Sequence, residues 1–221
     1  PHFTDRRQRQ MCIRDREHTV RLNTNKGESM TNRCKKNICM YTAVLIVGIS
    51  QMTFSNSNEL IMLDDFDPSP KVEWNFVADS VMGGVSSGEV LLGSDGSETF
   101  ASMIGNVSTE NNGGFIQFRS NLDERLDKEV KGVYLKVKGN GEKYYIHLRT
   151  RGTMLPWQYY QSAFLTQNGW AEIFLPLDSF MPSGSWLSKG VNPTSIRSIG
   201  VVAYGRDHVA DIQVTEIGFY L

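Results

Sequence analysis

The sequence predicts an all-β protein, an antiparallel sandwich of roughly ten strands with little helix. Three observations lead there. Short runs alternate apolar and polar residues, and turn signals recur roughly every 8–15 residues. Glycine is plentiful, 20 in 221 residues, and is spread among the turns. Two polar loops carry paired glycines, Asp79-Ser-Val-Met-Gly-Gly-Val-Ser-Ser-Gly88 and Glu110-Asn-Asn-Gly-Gly-Phe115. Paired glycines suit a backbone that turns with positive φ or passes close to another group.

The elements follow in order. Ile61–Phe66 reads as an opening strand, Asp67–Pro70 as a turn, and Val72–Phe76 alternates. Glu89–Leu92 and Thr99–Val107 are strands around the Gly93–Gly96 turn. In Phe115–Ser120, Phe115, Gln117 and Arg119 alternate with Ile116 and Phe118. Val133–Val137 and Tyr144–Thr150 flank Gly139-Asn-Gly141, which predicts a hairpin. Further strands are expected at Gln158–Thr166, Ala171–Leu175, Ile196–Ala203 and Ile212–Phe219. One or two helical turns are expected at Leu122–Glu129, and one more at Leu177–Phe180 after Pro176. A body of about 160 residues is long enough for one well-buried core.

Charge divides the chain. Residues 1–57 hold 10 Lys and Arg against 4 Asp and Glu, whereas residues 58–221 hold 13 against 20. An acidic body argues against nucleic-acid binding, because phosphate contacts need a basic face. Cys12, Cys34 and Cys39 all precede residue 40, so residues 58–221 hold neither an internal disulfide nor a Cys-ligated zinc.

Met30–Ser57 reads as a secretory signal peptide. Arg33, Lys35 and Lys36 form its basic start, Ile38–Ile49 its apolar run, and Ser55-Asn-Ser57 its cleavage site. This predicts a periplasmic or secreted protein. An uncleaved anchor or a buried strand is the bland alternative. Residues 1–29 fit nothing downstream and are expected to be a non-native extension ahead of a true start at Met30. A mitochondrial transit peptide is the competing reading, favoured by Arg6, Arg7, Arg9, Arg14, Arg16 and Arg21 and opposed by Asp5, Asp15, Glu17 and Glu28.

Chemistry-bearing residues are few in the body. His147 falls in a strand and His208 in a turn, and there is no metal-binding His-x-x-x-His and no Gly-x-Ser-x-Gly elbow. A hydrolytic set built on Asp79, His147 or His208 is an alternative reading, and no catalytic residue is assigned. Asp64, Asp65 and Asp67 offer oxygen ligands of the kind calcium uses, but without the spacing of a calcium loop, so no metal or cofactor is expected.

Alternation places Tyr145, His147, Arg149 and Arg151 on one face, with Tyr144, Ile146, Leu148 and Thr150 toward the core. Trp157, Tyr159 and Gln161 share a face of the next strand. Flat aromatic surface beside fork-shaped donors suits a sugar or peptide site. An ordinary solvated sheet face is the alternative. The candidate ligand- or partner-binding residues are therefore Asp79, Met82, Gly83, Gly84 and Ser86 of the first loop, Asn111 and Asn112 of the second, and Arg149, Arg151, Trp157, Tyr159 and Gln161 of the sheet. A purely structural loop, with Asp79 capping the turn and Met82 plugging the core edge, competes with this assignment.

Together, Trp74, the Asp79–Ser87 run, Phe100, Gly105-Asn-Val107, Asn112-Gly-Gly-Phe115, Tyr160, Phe164, Trp170, Leu175-Pro-Leu177, Phe180 and Ile199-Gly200 resemble the complex I intermediate-associated protein family of the thirty-kilodalton type. The resemblance runs from Leu60 to Leu221. It implies a galactose-binding-like jelly-roll sandwich, similar to carbohydrate-binding modules, and a non-catalytic role. It further implies a protein partner, since the mitochondrial member is an assembly factor that holds intermediates of NADH:ubiquinone oxidoreductase. The implied fold and the leader together give a second expectation, an exported carbohydrate-binding module whose partner is a glycan.

Overall fold

The computed structural model describes residues 58–221 apart from 70 and 97, so the leader and the 1–29 extension lie outside the described residues. Twelve strands form two antiparallel sheets: β1 Leu60–Asp64, β2 Asn75–Ala78, β3 Ser87–Asp95, β4 Glu98–Val107, β5 Phe115–Asn121, β6 Gly132–Gly139, β7 Lys143–Thr150, β8 Tyr160–Leu165, β9 Ala171–Pro176, β10 Met181–Pro182, β11 Ile196–Tyr204 and β12 His208–Tyr220. The first sheet runs β3-β4-β12-β6-β9, with β1 against the far half of β12. The second runs β10-β8-β7-β11-β5-β2. Among the described residues no helix is long and apolar enough to cross a membrane.

The predicted sandwich is present, and the alternating runs explain its core. One face of β7 sends Tyr144, Ile146 and Leu148 inward, fully buried, against Ile116 and Phe118 of β5 and Ile199, Val201 and Ala203 of β11. From the first sheet, Met103, Leu135, Val137, Ile212, Val214 and Ile217 meet them. Period-2 alternation with one buried face is what two packed sheets require.

Three expectations are corrected. Gly139-Asn140-Gly141 does not close a hairpin: β6 pairs with β12 and β9, and β7 with β11 and β8. The segment instead crosses between sheets. It is tied to β12, with Asn140 Nδ2 donating to the Val209 carbonyl at 2.9 Å and the Tyr144 hydroxyl to Asn140 Oδ1 at 3.0 Å. Leu122–Glu129 is a series of bends, not helix, because its Leu122 and Leu126 each pack on the core without a continuous apolar stripe. At Leu177–Ser179 the expected turn forms. β3 also runs through Gly93 to pair Asp95 with Glu98, so only Gly96, at φ 65°, turns there.

Asp64, which ends β1, and Asp65 and Asp67 after it each have separate partners. Asp64 is fully buried and accepts from Phe66 N at 3.1 Å and Trp74 Nε1 at 2.8 Å, while the rings of Phe66 and Trp74 pack on Phe118. Asp65 pairs with Lys71 at 2.5 Å, and Asp67 accepts from Ser69 N at 2.8 Å. The Trp74→Phe variant keeps the ring packing and removes one donor from a buried carboxylate. It should lose about 1–3 kcal/mol in urea unfolding.

Candidate functional site

The outward face of the second sheet is concave. Register aligns Asn75 of β2, Arg119 of β5, Gly200 of β11, His147 of β7 and Gln161 of β8 in one row across it. The neighbouring row holds Asn121, Ser198 and Arg149. Because Gly200 sits at the centre without a side chain, the flanking groups stand around an open floor. A Cβ there would lie 3.1 Å from Arg119 Cβ and 3.3 Å from Gln117 Oε1. The resulting groove encloses about 810 Å³.

Aromatic rings line one side. His147 stacks on Tyr159 with ring centroids 4.0 Å apart and planes 11° from parallel, and Tyr204 meets the imidazole edge-on at 5.9 Å. Burial holds the imidazole neutral, with its pKa pushed down to about 3. Burial also raises the Tyr159 hydroxyl, and Tyr204 beside it adds to the effect. Two guanidinium groups, Arg119 and Arg149, stand on either side of the Gly200 strand. Burial, then the charges of Arg197 and Arg119, hold Arg149 below its ordinary value. His147 Nε2, Arg149 Nε and Gln161 Oε1 are buried with no partner among the described residues. Gln161, paired with His147 across β7 and β8, still lies close enough to the imidazole to offset part of its burial, so Arg149 Nε is the one of the three with no candidate partner beside it among the described residues.

Two loops build the opposite rim, and one carboxylate holds both. Asp79 opens a single 3₁₀ turn over Asp79–Met82 and is fully buried. It accepts from the Ser86 hydroxyl, Ser86 N at 2.9 Å, Gly114 N at 2.5 Å and Phe115 N at 3.3 Å. Burial alone would raise this carboxyl, but the Ser86 hydroxyl and the amides of Gly114, Phe115 and Ser86 outweigh it, and the net shift is downward. Each double glycine divides the work. Gly83 at φ 89° and Gly114 at φ 125° take the left-handed turns, whereas a Cβ on Gly84 or Gly113 would collide with the Asp79 carboxylate.

Of the residues singled out from the sequence, Met82, Asn112, Arg149, Trp157 and Tyr159 line the groove. Asp79, Gly84 and Ser86 lie beneath the rim and shape it, and Gly83 and Asn111 are exposed beside it. Met82 does not plug the core edge; it is 59% exposed. Gln161 adjoins the floor through its pairing with His147. Arg151 lies past the end of β7, in an exposed turn, so strand alternation no longer places it on the face. Trp157 belongs to the turn before β8, not to the strand. His208 bonds to the Arg206 carbonyl at 2.8 Å instead of joining Asp79.

Sequence reasoning missed Phe115, Gln117 and Arg119 of β5, Ser198, Gly200 and Tyr204 of β11, and Val77, Val81 and Pro156. The β5 alternation was visible. What was not visible is that β11 brings β5 beside β7. In β11 the outward Ser198, Gly200 and Val202 are small or apolar and nearly as buried as the inward residues, so no alternation marks them.

The second sheet of this antiparallel sandwich thus carries an open, partly aromatic groove. The family model of Complex I intermediate-associated protein 30 (CIA30) matches residues 64–214, and the chain belongs to that family. Solved structures agree on the fold. The family 11 carbohydrate-binding module of the cellulosomal cellulase Lic26A-Cel5E of Clostridium thermocellum is 15% identical, with a TM-score of 0.60 over 74% of this chain and 95% of that one. The same organism's family 11 module in complex with a β-1,3-1,4-mixed-linked tetrasaccharide gives 15% identity and 0.59 over 72% and 94%. The family 30 module of its cellulase Cel9D-Cel44B gives 14% and 0.53 over 72% and 97%. At such identities the likeness is one of fold. A search of curated proteins found no match.

Proposed function

We propose that this chain is a non-catalytic binding module that holds a protein partner in the groove of the second sheet, during assembly of a membrane complex of the NADH:ubiquinone oxidoreductase kind. Family membership supports the class of role. The observation that carries the reading is the apolar rim. Val81 is 71% exposed, Met82 59% and Trp157 63%, all at the mouth of one groove. Large apolar groups gathered at a concave site favour an occupant that buries them. The non-catalytic part is supported by Asp79, which is fully engaged in structure, and by a neutral, stacked His147.

The test is recovery of a reproducible partner from membranes with the full chain as bait. A tryptophan at the centre of an interface is worth about 2 kcal/mol or more, so Trp157→Ala should weaken that binding roughly 30-fold. Because the side chain is mostly exposed, its melting temperature should stay within about 2 °C. No reproducible partner, or equal binding by the variant, would overturn the reading.

A second reading, an exported module for carbohydrate, is favoured by Tyr159 and Trp157 standing beside Gln117 in the same groove. Calorimetry with a mixed-linked β-glucan tetrasaccharide addresses it. Removing a stacking ring should cost about 1 kcal/mol there. Mass spectrometry of the mature N-terminus separates the two: a start near Asn58 goes with export to the periplasm or beyond, an intact basic leader in an organelle with the assembly role.

A further inference from the structure

We propose that the groove recognises carboxylates, and that its occupant is an acidic, extended segment of the partner protein whose Asp or Glu side chains dock on Arg119 and Arg149. The inference rests on the reading above, that this groove is the binding face. Residues 58–221 carry 20 Asp and Glu against 13 Lys and Arg, yet the groove lining contains both of these arginines and no acidic residue. The groove on the second sheet is thus opposite in sign to the domain that bears it.

Neither guanidinium is neutralised. Among the described residues the ion pairs belong to Lys71, Lys136 and Arg206. Arg149 donates through Nη2 to the Leu155 carbonyl at 2.8 Å and keeps its buried Nε free. Arg197 is close behind, donating to the Thr153 carbonyl at 2.7 Å, and its charge adds to the repulsion at Arg149. Holding like charges together in a partly buried site is unfavourable until an anion joins them. Arg119 and Arg149 lie on the strands either side of β11 and in adjacent rows, so their backbones are roughly 12 Å apart. The side-chain-free Gly200 lies in the row of Arg119, and the space over it is bounded by Arg119 Cβ and Gln117 Oε1, 3.1 and 3.3 Å from where a Cβ would stand, so a carboxylate entering there is met by groups of the groove lining itself. Guanidinium forks match carboxylates in a two-point, charge-assisted geometry.

Polypeptide is favoured over acidic glycan by the rim. The side chains of Val81 and Met82 offer no hydrogen bond to a hydroxyl-rich chain, while a peptide supplies apolar side chains between its carboxylates.

The test uses the full chain and a labelled peptide of alternating glutamate and leucine, its glutamine counterpart, and trigalacturonate. Expected is about tenfold or tighter binding of the glutamate peptide over the glutamine one, with the difference shrinking as salt rises from 0.05 to 0.5 M. Arg119 makes no side-chain hydrogen bond among the described residues, so Arg119→Gln should fold normally and lose that preference, Arg119→Lys should retain part of it, and Arg119→Glu should abolish it. Circular dichroism and melting check the fold of each. Equal binding of the two peptides, no binding of the glutamate peptide at millimolar concentration, or an unaltered preference in Arg119→Glu would overturn the proposal. Preference for trigalacturonate over the glutamate peptide would overturn the choice of polypeptide. The Gly200→Phe variant separates the two levels. If it abolishes partner binding while Arg119→Glu leaves it intact, the groove stands and the carboxylate inference falls; if it leaves partner binding intact, the groove reading itself falls.

Discussion

Replacing Asp79 with alanine should destabilise the protein by roughly 3–5 kcal/mol and loosen the groove rim with it. Each buried donor left without an acceptor costs about 1–3 kcal/mol, and this change orphans the amides of Ser86, Gly114 and Phe115 together. The damage should spread. Ser86 Oγ also accepts from Ser108 N at 2.9 Å, and Thr109 beside it is held by Asp207 through its amide at 2.7 Å and its hydroxyl at 2.8 Å. Chemical denaturation at pH 7 reads the loss, and partner binding should weaken too, since Val81, Met82 and Asn112 ride on the same loops.

The same carboxylate predicts an acid limb. Its folded pKa lies below the ordinary value of 3.8, because hydrogen bonds to the ionised form outweigh burial. A group depressed on folding contributes stability above its unfolded pKa and loses it as pH falls through the folded value. Wild-type stability should therefore decline from about pH 4 downward, while Asp79→Asn, which titrates nothing there, should show a shallower decline over the same window. Parallel declines would mean that other carboxylates dominate acid unfolding.

Filling the floor should have the largest effect on binding. Gly200→Phe places a ring above β11, in the groove lined by Arg119, Gln117 and His147. Partner binding should fall beyond detection, at least a hundredfold if a central, well-packed hot spot is blocked. The stability cost should be modest, about 1–3 kcal/mol, from the tight approach of its Cβ to Arg119 Cβ and the Phe118 carbonyl. Gly200→Ala is the milder comparison and should retain most of the binding. A Gly200→Phe protein that binds as well as the wild type would place the ligand elsewhere on the sandwich.

Much of the fold was legible because strand alternation is local. In β5 and β7 each inward residue is followed by an outward one, and burial follows that pattern residue by residue. The error at Gly139-Asn140-Gly141 has a physical cause. A glycine-asparagine turn has the same local preferences whether it closes a ladder or crosses between layers, and the choice lies with β12, about 70 residues later. Trp157 and Tyr159 were legible as aromatic surface. Arg119 was equally visible as an outward residue, but nothing near it in the chain announces Arg149.

By itself, the sequence determined the sandwich class, the inward and outward sides of most strands, the two double-glycine loops and the family. Each is encoded within a stretch of a few residues, where side-chain period and backbone freedom decide. Only the tertiary structure decided that β5, β11 and β7 lie side by side, that Asp79 clamps two loops separated by about 30 residues, and that two arginines from different strands share one uncovered floor. Those depend on pairings between distant strands, where the free energy comes from burying both sheets against each other, and no local pattern records the partner.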